Sequence, residues 1–313
     1  MTGNKDHGAD EALYVKSVVD ASPQPGDSVA DLASAALASH MDALNRLSGV
    51  GSDTANVARI YDYYLGGKDN FEVDRTVAEE VLAKNPDVRD SALANREFLG
   101  RVVHYLVSEA GVRQFIDLGS GLPTQENVHQ VAQAAAADAR IVYVDNDPVV
   151  LTHARAMLAT NQNTLAVGAD LRDPWKIVHE VRALIDFTQP IAVLAFAVLH
   201  FLSDEQAYGV VNTLVGACPP GSYLAVSHVL DTAEAQTGRA IYARRSANAG
   251  LVLRSPAEIG EFFAGLELVH PELERSPGNA PELVHLSQWR NEEDSTVVRD
   301  RFMLCGVARK LEP

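Results

Sequence analysis

The chain has 313 residues, 47% of them hydrophobic, and a formal net charge of −16. That length can bury one large core plus an accessory region, and the acidic balance argues against nucleic acid or an anionic membrane as the main partner, since both demand a basic face. Cys218 and Cys305 stand far apart and suit a reducing compartment; with ten histidines they form none of the CxxC, HxxxH or HExxH spacings of a metal site, so no metal is expected.

Residues 1–26 are polar, rich in Pro, Asp and Gly, and lack the apolar run of a secretory signal; they are read as a mobile tail. Val29, Leu32, Ala36, Leu44 and Leu47 then recur at helical spacing up to Gly49. That helix packs on the body or on a second copy, which leaves a homodimer open. Gly26-Asp27-Ser28-Val29 has a faint likeness to a lipase nucleophile turn, but no apolar strand precedes it, and neither Gly-x-Ser-x-Gly nor a Walker-type loop occurs. The most apolar segment, Pro190–Leu202, is too short for a bilayer span of roughly 20 residues. A soluble cytoplasmic protein is expected.

Ser52 or Asp53 is placed to cap a helix whose Val57, Ile60, Tyr64 and Leu65 share one face and which Gly66-Gly67 stops. A second helix is expected over 74–83, before Asn85-Pro86. A third, over 91–109, carries Phe98, Leu99, Val102 and Leu106 and closes at Gly111. No strand signal precedes residue 113. From there strands at 114–118, 141–145, 164–168, 191–197 and 222–228 alternate with helical patterns such as 123–137 and 148–159, the latter with Pro148 in its first turn. Such alternation implies parallel strands joined by crossover helices. Residues 231–250 read as a helical insert, and Ser255-Pro256 opens a helix through Phe263. Two last strands, 266–270 and 302–308, have no crossover helix between them and predict an antiparallel hairpin. The fold class is α/β: a Rossmann-like, doubly wound sheet of about seven strands, mostly parallel, with a C-terminal antiparallel hairpin and an N-terminal helical cap. The division is an extension over 1–52, the cap over 53–110, and the α/β body over 111–313 with an insert at about 231–254.

Three runs carry the chemistry: RQFIDLGSGLPTQENVH (113–129), RIVYVDNDPVV (140–150) and LAVGADLRDP (165–174). The first strand enters the turn Gly119-Ser120-Gly121, where backbone N–H groups can approach a ligand ahead of a helix. The second ends on Asp145, well placed to accept both hydroxyls of a ribose, and the third on Asp170. A nucleoside-binding sheet follows. For a nicotinamide dinucleotide the glycine pattern is imperfect, because Thr124 stands where a small residue allows close helix packing. An oxidoreductase is therefore a distant reading.

The ordered set of glycine turn, Asp145, Asp170 and terminal hairpin resembles the class I S-adenosylmethionine-dependent methyltransferases. ARIYDYYLGGKDNF, VYVDNDPVVLTHARAML, ADLRDP, AVLHF, GSYLAVSH and LRSPAEIGEFFAGLELVHPEL look like one methyltransferase family with an N-terminal YDYxLGGKDNF signature, here residues 61–71. The resemblance spans about 53–310. It implies S-adenosyl-L-methionine as cofactor, with Gly119, Ser120 and Gly121 against its methionine part. Asp145 would take the ribose, Asn146 would lie by the adenine edge, and Asp170, with Leu171 beside it, would meet the adenine amine. Asp117 either bonds the turn amides or faces the cofactor's ammonium. The signature segment implies a lid. Lys68 is then a candidate for the cofactor carboxylate, with Arg96 a second, while Tyr61, Tyr64 and Asn70 fall on the acceptor side. Read blandly, the tyrosines are core, the glycines a helix stop and the lysine solvated.

His200 ends the fourth strand at the carboxyl edge, as a general base or as a satisfied structural residue; Tyr61 is the other catalytic candidate. The Asn/Asp-Pro-Pro-Tyr/Phe signature of many N-methyltransferases is absent, so the acceptor need not be an amino group on a base. Aromatic content of 6% gives no sign of a large flat acceptor. The reading is a methyltransferase acting on an unidentified small molecule. The alternative is a regulator that binds S-adenosylmethionine or S-adenosylhomocysteine without turnover.

Overall fold

The computed structural model describes residues 54–123, 126–158, 161–245, 250–272, 280–291 and 300–312; the tail and the helix expected over 28–48 lie outside the described residues. The first helix, α1 (Val57–Tyr64), is capped by Asn56 rather than by Ser52 or Asp53. Its Oδ1 accepts the N–H groups of Ala58 at 2.7 Å and Arg59 at 3.4 Å, relieving amides that a helix start leaves unpaired. Helix α2 (Glu72–Leu82) begins two residues before its apolar spacing predicts, because Asp74 Oδ2 accepts the Phe71 N–H at 2.9 Å. The same carboxylate receives Arg59 Nε at 2.7 Å, both side chains being buried, and Asp74 Oδ1 receives the Asn56 N–H at 2.9 Å. One ion pair thus binds α1 to α2. Helix α3 (Val88–Ser108) starts at Val88 rather than Ser91. Ile60, Tyr64, Val77, Val81 and Ala92 close the small core between these helices.

The sheet follows: β1 (Gln114–Leu118), β2 (Arg140–Asp145), β3 (Thr164–Gly168), β4 (Ala192–Phe196) and β5 (Tyr223–Val229), all parallel where they pair. The order β3-β2-β1-β4-β5-β8-β6 puts the β1 and β4 ends at the centre. Phe115 faces one core, with Phe98, Leu106, Ile141 and Trp289, while Ile116 faces the other, with Val142, Ile177, Leu214 and Ile259. Burial on both faces explains why these strands read as unbroken apolar runs. Helices α3 and α4 (Val128–Ala135) cover the first face; α6 (Pro174–Val181), α7 (Asp204–Ala217) and α9 (Pro256–Gly260) cover the second. Helix α4 begins at Val128, not near Pro123, because Gln130 Oε1 accepts the Asn127 N–H at 2.8 Å and fixes the start there. Helix α5 (Pro148–Leu158) opens with its proline as expected.

The C-terminal strands are antiparallel but form more than a two-strand hairpin. Strand β8 (Met303–Arg309) lies between β5 and β6 (Glu267–Leu268) and also pairs with β7 (Val284–His285), a short strand hidden from sequence inside a Pro-containing loop. Helix α8 (Ala233–Arg245) from the insert reaches the cap: Asn85 Nδ2 donates to the Glu234 carbonyl at 2.6 Å, and Arg244 and Arg245 both meet Glu80 at 3.3 Å.

The polar tail of the 61–71 segment closes on itself. Asp62 Oδ2 accepts the Asp69 N–H at 3.0 Å and Asn70 Nδ2 at 2.8 Å, and a Cβ on Gly67 would stand 2.0 Å from Asp62 Oδ1. Gly67→Ala must therefore displace a buried carboxylate. It is expected to lower unfolding free energy by about 1–3 kcal/mol, read from the urea midpoint; an unshifted midpoint would contradict this packing.

Candidate functional site

One cavity of about 380 Å³ opens where β1, β2, β3 and β4 end, under α1, α2, α3 and α8. It lies at the carboxyl edge of the parallel strands, where ligands enter open α/β sheets. Asp117, Gly119, Ser120, Gly121, Asp145 and Asn146 line it, and so do Asp170, Leu171, Arg96, Tyr61, Tyr64 and His200. Lys68 and Asn70 are not among its lining residues. Lys68 is exposed, and Asn70 is buried against Asp62 and the Gly67 carbonyl, 3.0 Å from its Nδ2.

The glycine turn does not offer its N–H groups to the cavity. Those of Gly119 and Ser120 bond the Val144 carbonyl at 2.8 and 3.3 Å, and that of Gly121 bonds Asp145 Oδ2 at 2.9 Å. The turn supplies shape instead. Gly119 (φ 63°) brings the backbone against Val198, whose Cγ2 would lie 2.2 Å from an added Cβ, and Gly121 (φ 65°) leaves open space at its Cβ position.

Two carboxylates meet behind this turn. Asp145 Oδ1 takes the Asp147 N–H at 2.9 Å, so each of its oxygens already accepts one backbone amide and keeps lone pairs for a ligand. Asp147, not Asp145, caps α5, accepting the Val149 N–H at 2.7 Å. Its other oxygen takes the carboxamide of Asn56, which ties the cap to the sheet edge. Asp117 is buried, and among the described residues its carboxylate accepts no hydrogen bond. The turn amides that it was one candidate to hold are bonded elsewhere. Burial pushes the Asp117 carboxyl up to about 7; the Arg96 guanidinium opposes that shift and the Asp145 carboxylate adds to it. Burial also raises Asp145, against the amides of Asp147 and Gly121. Asp170 is more exposed. The Arg172 guanidinium holds it below the usual carboxylate range, with Nε at 2.9 and 3.0 Å from its two oxygens.

Asn95 and Ser227 join the site without having been marked in the sequence. Ser227 Oγ donates to Asn95 Oδ1 at 2.6 Å and accepts the Ala197 N–H at 2.9 Å. Ala197, with φ 51°, stands just after β4 in a conformation that costs a non-glycine residue of order 1–3 kcal/mol. Asn95 Nδ2 donates to the Tyr61 hydroxyl at 2.9 Å, and that hydroxyl donates to the Ala92 carbonyl at 3.1 Å. The Tyr61 proton is thus directed at a carbonyl, and burial raises its pKa, both of which disfavour a general base there. The available signal was a helix face: Val88, Ala92, Asn95 and Leu99 follow one another at spacings of three or four, with the polar Asn95 breaking an apolar stripe.

His200 is buried on the turn Leu199–Phe201, with no partner for Nδ1 among the described residues. Its carbonyl accepts the Val252 N–H at 2.8 Å, and its ring packs on Phe201 at 4.4 Å and His228 at 5.5 Å. Arg254 organises this corner, bonding the Leu199 and Leu202 carbonyls at 3.2 Å and Asp204 at 2.9 Å. Arg254 also lies 2.7 Å from His228 Nε2, and an arginine can only donate. His228 therefore carries its proton on Nδ1, directed at the Val229 carbonyl at 2.8 Å. Burial, reinforced by the positive charge of Arg254 behind His228, holds His200 well below the usual imidazole range. It is a neutral ring at neutral pH.

Among the described residues, no group of three or more His, Cys, Asp or Glu could hold a metal ion, and no helix is long and apolar enough to cross a membrane. A sequence profile described as S-adenosyl methyltransferase matches residues 45–311. A provisionally named methyltransferase from Thermobifida fusca, solved by crystallography, is 40% identical over 84% of this chain and 98% of its own, with a TM-score of 0.77. A crystallised protein from Streptomyces avermitilis is 38% identical over 83% of this chain and 98% of its own, with a TM-score of 0.75. Provisionally named S-adenosyl-L-methionine-dependent methyltransferases of Mycobacterium avium and Mycobacterium tuberculosis are 30% identical over 129 and 135 residues. Those matches span 40% and 42% of this chain and 40% of each relative's length.

Asp117 sets a pH test. A carboxyl raised on folding favours the folded state most below its unfolded value, and that contribution is lost as pH rises through about 7. Between pH 6 and 8 the ligand-free protein should lose roughly 2–4 °C of melting temperature relative to Asp117→Asn. Superimposable pH profiles for the two proteins would contradict a buried, unpaired Asp117.

Proposed function

This chain belongs to the S-adenosyl methyltransferase family, and from that premise we propose that it transfers the methyl group of S-adenosyl-L-methionine to a small-molecule acceptor. The carrying observation is the buried Asp117 carboxylate, which accepts no hydrogen bond among the described residues and lies within the field of Arg96. A zwitterionic amino-acid group complements that pair, its ammonium meeting Asp117 and its carboxylate Arg96. Asp145 has lone pairs free for the two ribose hydroxyls, and Asn146 and Leu171 flank the space for the adenine. The donor set therefore fits the cofactor. When bound, it supplies an electrophilic sulfonium methyl.

The protein's own tasks are then to orient the acceptor, exclude water and give a displaced proton a destination. His200, neutral and lining the cavity, is the side chain suited to the last task; Arg254 and Val252 fix its position. Asp170 reaches an adenine amine only where Arg172 yields, so it contributes less than Asp145. Residues 61–71 act through the inward tyrosines of α1, with Lys68 and Asn70 as scaffold rather than as ligand contacts; that segment is the signature of the family proposed from sequence. The cap over 53–110 and the insert near 231–254 form the acceptor side above the body over 111–313. Buried free thiols at Cys218 and Cys305 accord with a cytoplasmic protein. A regulator that only senses the cofactor would need the charged end alone; the continuation of the cavity under α1, α2 and α8 favours an enzyme.

Titration calorimetry tests this reading. S-adenosylmethionine and S-adenosylhomocysteine should bind and NAD should not. Asp145→Ala should weaken binding at least about tenfold, as expected for losing charge-assisted hydrogen bonds of ~1.5–3 kcal/mol. Asp170→Asn should cost less than about fivefold, because Arg172 already occupies that carboxylate. Equal losses at the two positions, or NAD binding as tightly, would refute the assignment.

A further inference from the structure

The charged residues that line the cavity are unevenly placed. Arg96, Asp117, Asp145, Asp147, Asp170 and Arg172 come from the ends of β1–β3, the turns after them and the middle of α3. The part enclosed by α1, α2, α8 and the first turns of α3 has no charged side chain among the described lining residues. Ser91, five residues before Arg96 on α3, is displaced from it by roughly 7.5 Å along the helix. The two ends are thus distinct compartments of one cavity.

Aromatic side chains wall the cavity, Tyr64 from the cap, Tyr242 from the insert, and Phe196, Phe201 and Phe302 from the sheet side. The polar groups of the uncharged compartment are few and incompletely used. Ser91 is 5% exposed, and its hydroxyl, away from solvent, has no partner among the described residues. The Tyr64 and Tyr242 hydroxyls lie 3.2 Å apart and share one hydrogen bond. Two O–H groups joined by one bond leave one proton to donate. A buried hydroxyl without a partner calls for an explanation, and a ligand group that both donates and accepts supplies one. A charged ligand would shed its hydration here with no counter-charge to meet it.

Resting on the methyltransferase reading, we propose that this compartment binds the methyl acceptor, an uncharged molecule with a flat aromatic body and a phenol-type hydroxyl. Ser91 and the Tyr64–Tyr242 pair hold its polar groups, and the aromatic walls hold its body. His200 at the sheet side is the one imidazole among the described lining residues, and it is neutral, so it repels neither the acceptor nor a cationic cofactor.

Gly238 on α8 gives a way to fill the compartment without touching the charged end. It lines the cavity, and a Cβ there meets only Asn85 Nδ2, at 4.0 Å. The experiment is calorimetry on the full chain saturated with S-adenosylhomocysteine, titrated with 2-naphthol, 2-naphthoate or 2-naphthylmethylammonium. 2-Naphthol should bind at least tenfold more tightly than either charged analogue. Gly238→Val should weaken 2-naphthol at least tenfold while S-adenosylhomocysteine affinity stays within twofold, and Ser91→Ala should weaken 2-naphthol several-fold. A charged analogue binding as tightly, no 2-naphthol binding, or 2-naphthol binding indifferent to both variants would overturn this inference and leave the cofactor reading standing. Failure of the unaltered chain to bind S-adenosylhomocysteine would instead overturn the cofactor reading, and this inference with it.

Discussion

Asp117 is buried and Asp145 half-buried near the ends of neighbouring parallel strands; the cost of desolvation raises both carboxyls, and the Asp145 carboxylate raises Asp117 further. A protein meets such a cost with hydrogen bonds, with counter-charge or by leaving a carboxyl protonated. Asp145 receives backbone amides, whereas among the described residues Asp117 accepts no hydrogen bond and is met by the field of Arg96. The deficit at Asp117 is what a cationic ligand group can meet. Much of the surrounding architecture reads as support for that arrangement: the glycine turn is closed onto β2, Arg96 is brought up by α3, and Asn56 ties the cap to Asp147.

The glycine turn and the 61–71 segment both act through form rather than through direct contact. The turn's amides are consumed by Val144 and Asp145, so its glycines matter because Val198 packs where a side chain would stand and because the chain must take positive φ. In the 61–71 segment, Asp62 holds Asp69 and Asn70, and Gly67 makes room for its carboxylate. That lock sets the end of α1, whose Tyr61 and Tyr64 form part of the cavity wall. Polar residues that look like ligand contacts in the sequence are here the fastening of a helix whose tyrosines line the cavity.

Much of this was legible in the sequence, and the exceptions have physical reasons. Strands such as 114–118 and 164–168 stand out because burial on both faces enforces apolar runs bounded by turns. Asp117, Asp145 and Asp170 could be placed on one cavity because parallel strands bring their carboxyl ends to a common edge. The cap of α1 was misplaced because Ser52, Asp53 and Asn56 have equal local claims, and the choice is made by Asp74 and Asp147, far along the chain. Strand β7 is only Val284–His285 and owes its existence to β8, so no periodicity could announce it. Lys68 and Asn70 drew their roles from the resemblance of the 61–71 signature to a lid, and a motif match says nothing about where a side chain goes. The low aromatic content says little about the cavity, since composition averages over the chain while the fold gathers Tyr61, Tyr64, Phe196, Phe201, Tyr242 and Phe302 around one space.

Asn95 and Ser227 show the limit from the other side. Each is unremarkable locally, and their bonds link β5, α3, α1 and the strained Ala197 only after the chain has folded. The arrangement as a whole stands or falls on where a nucleoside thioether settles. A crystal structure of the full chain with S-adenosylhomocysteine should place the ribose hydroxyls on Asp145 and the amino-acid end between Asp117 and Arg96. A ligand bound elsewhere, or seated with its ammonium away from Asp117, would contradict the proposal that these buried carboxylates exist to receive it.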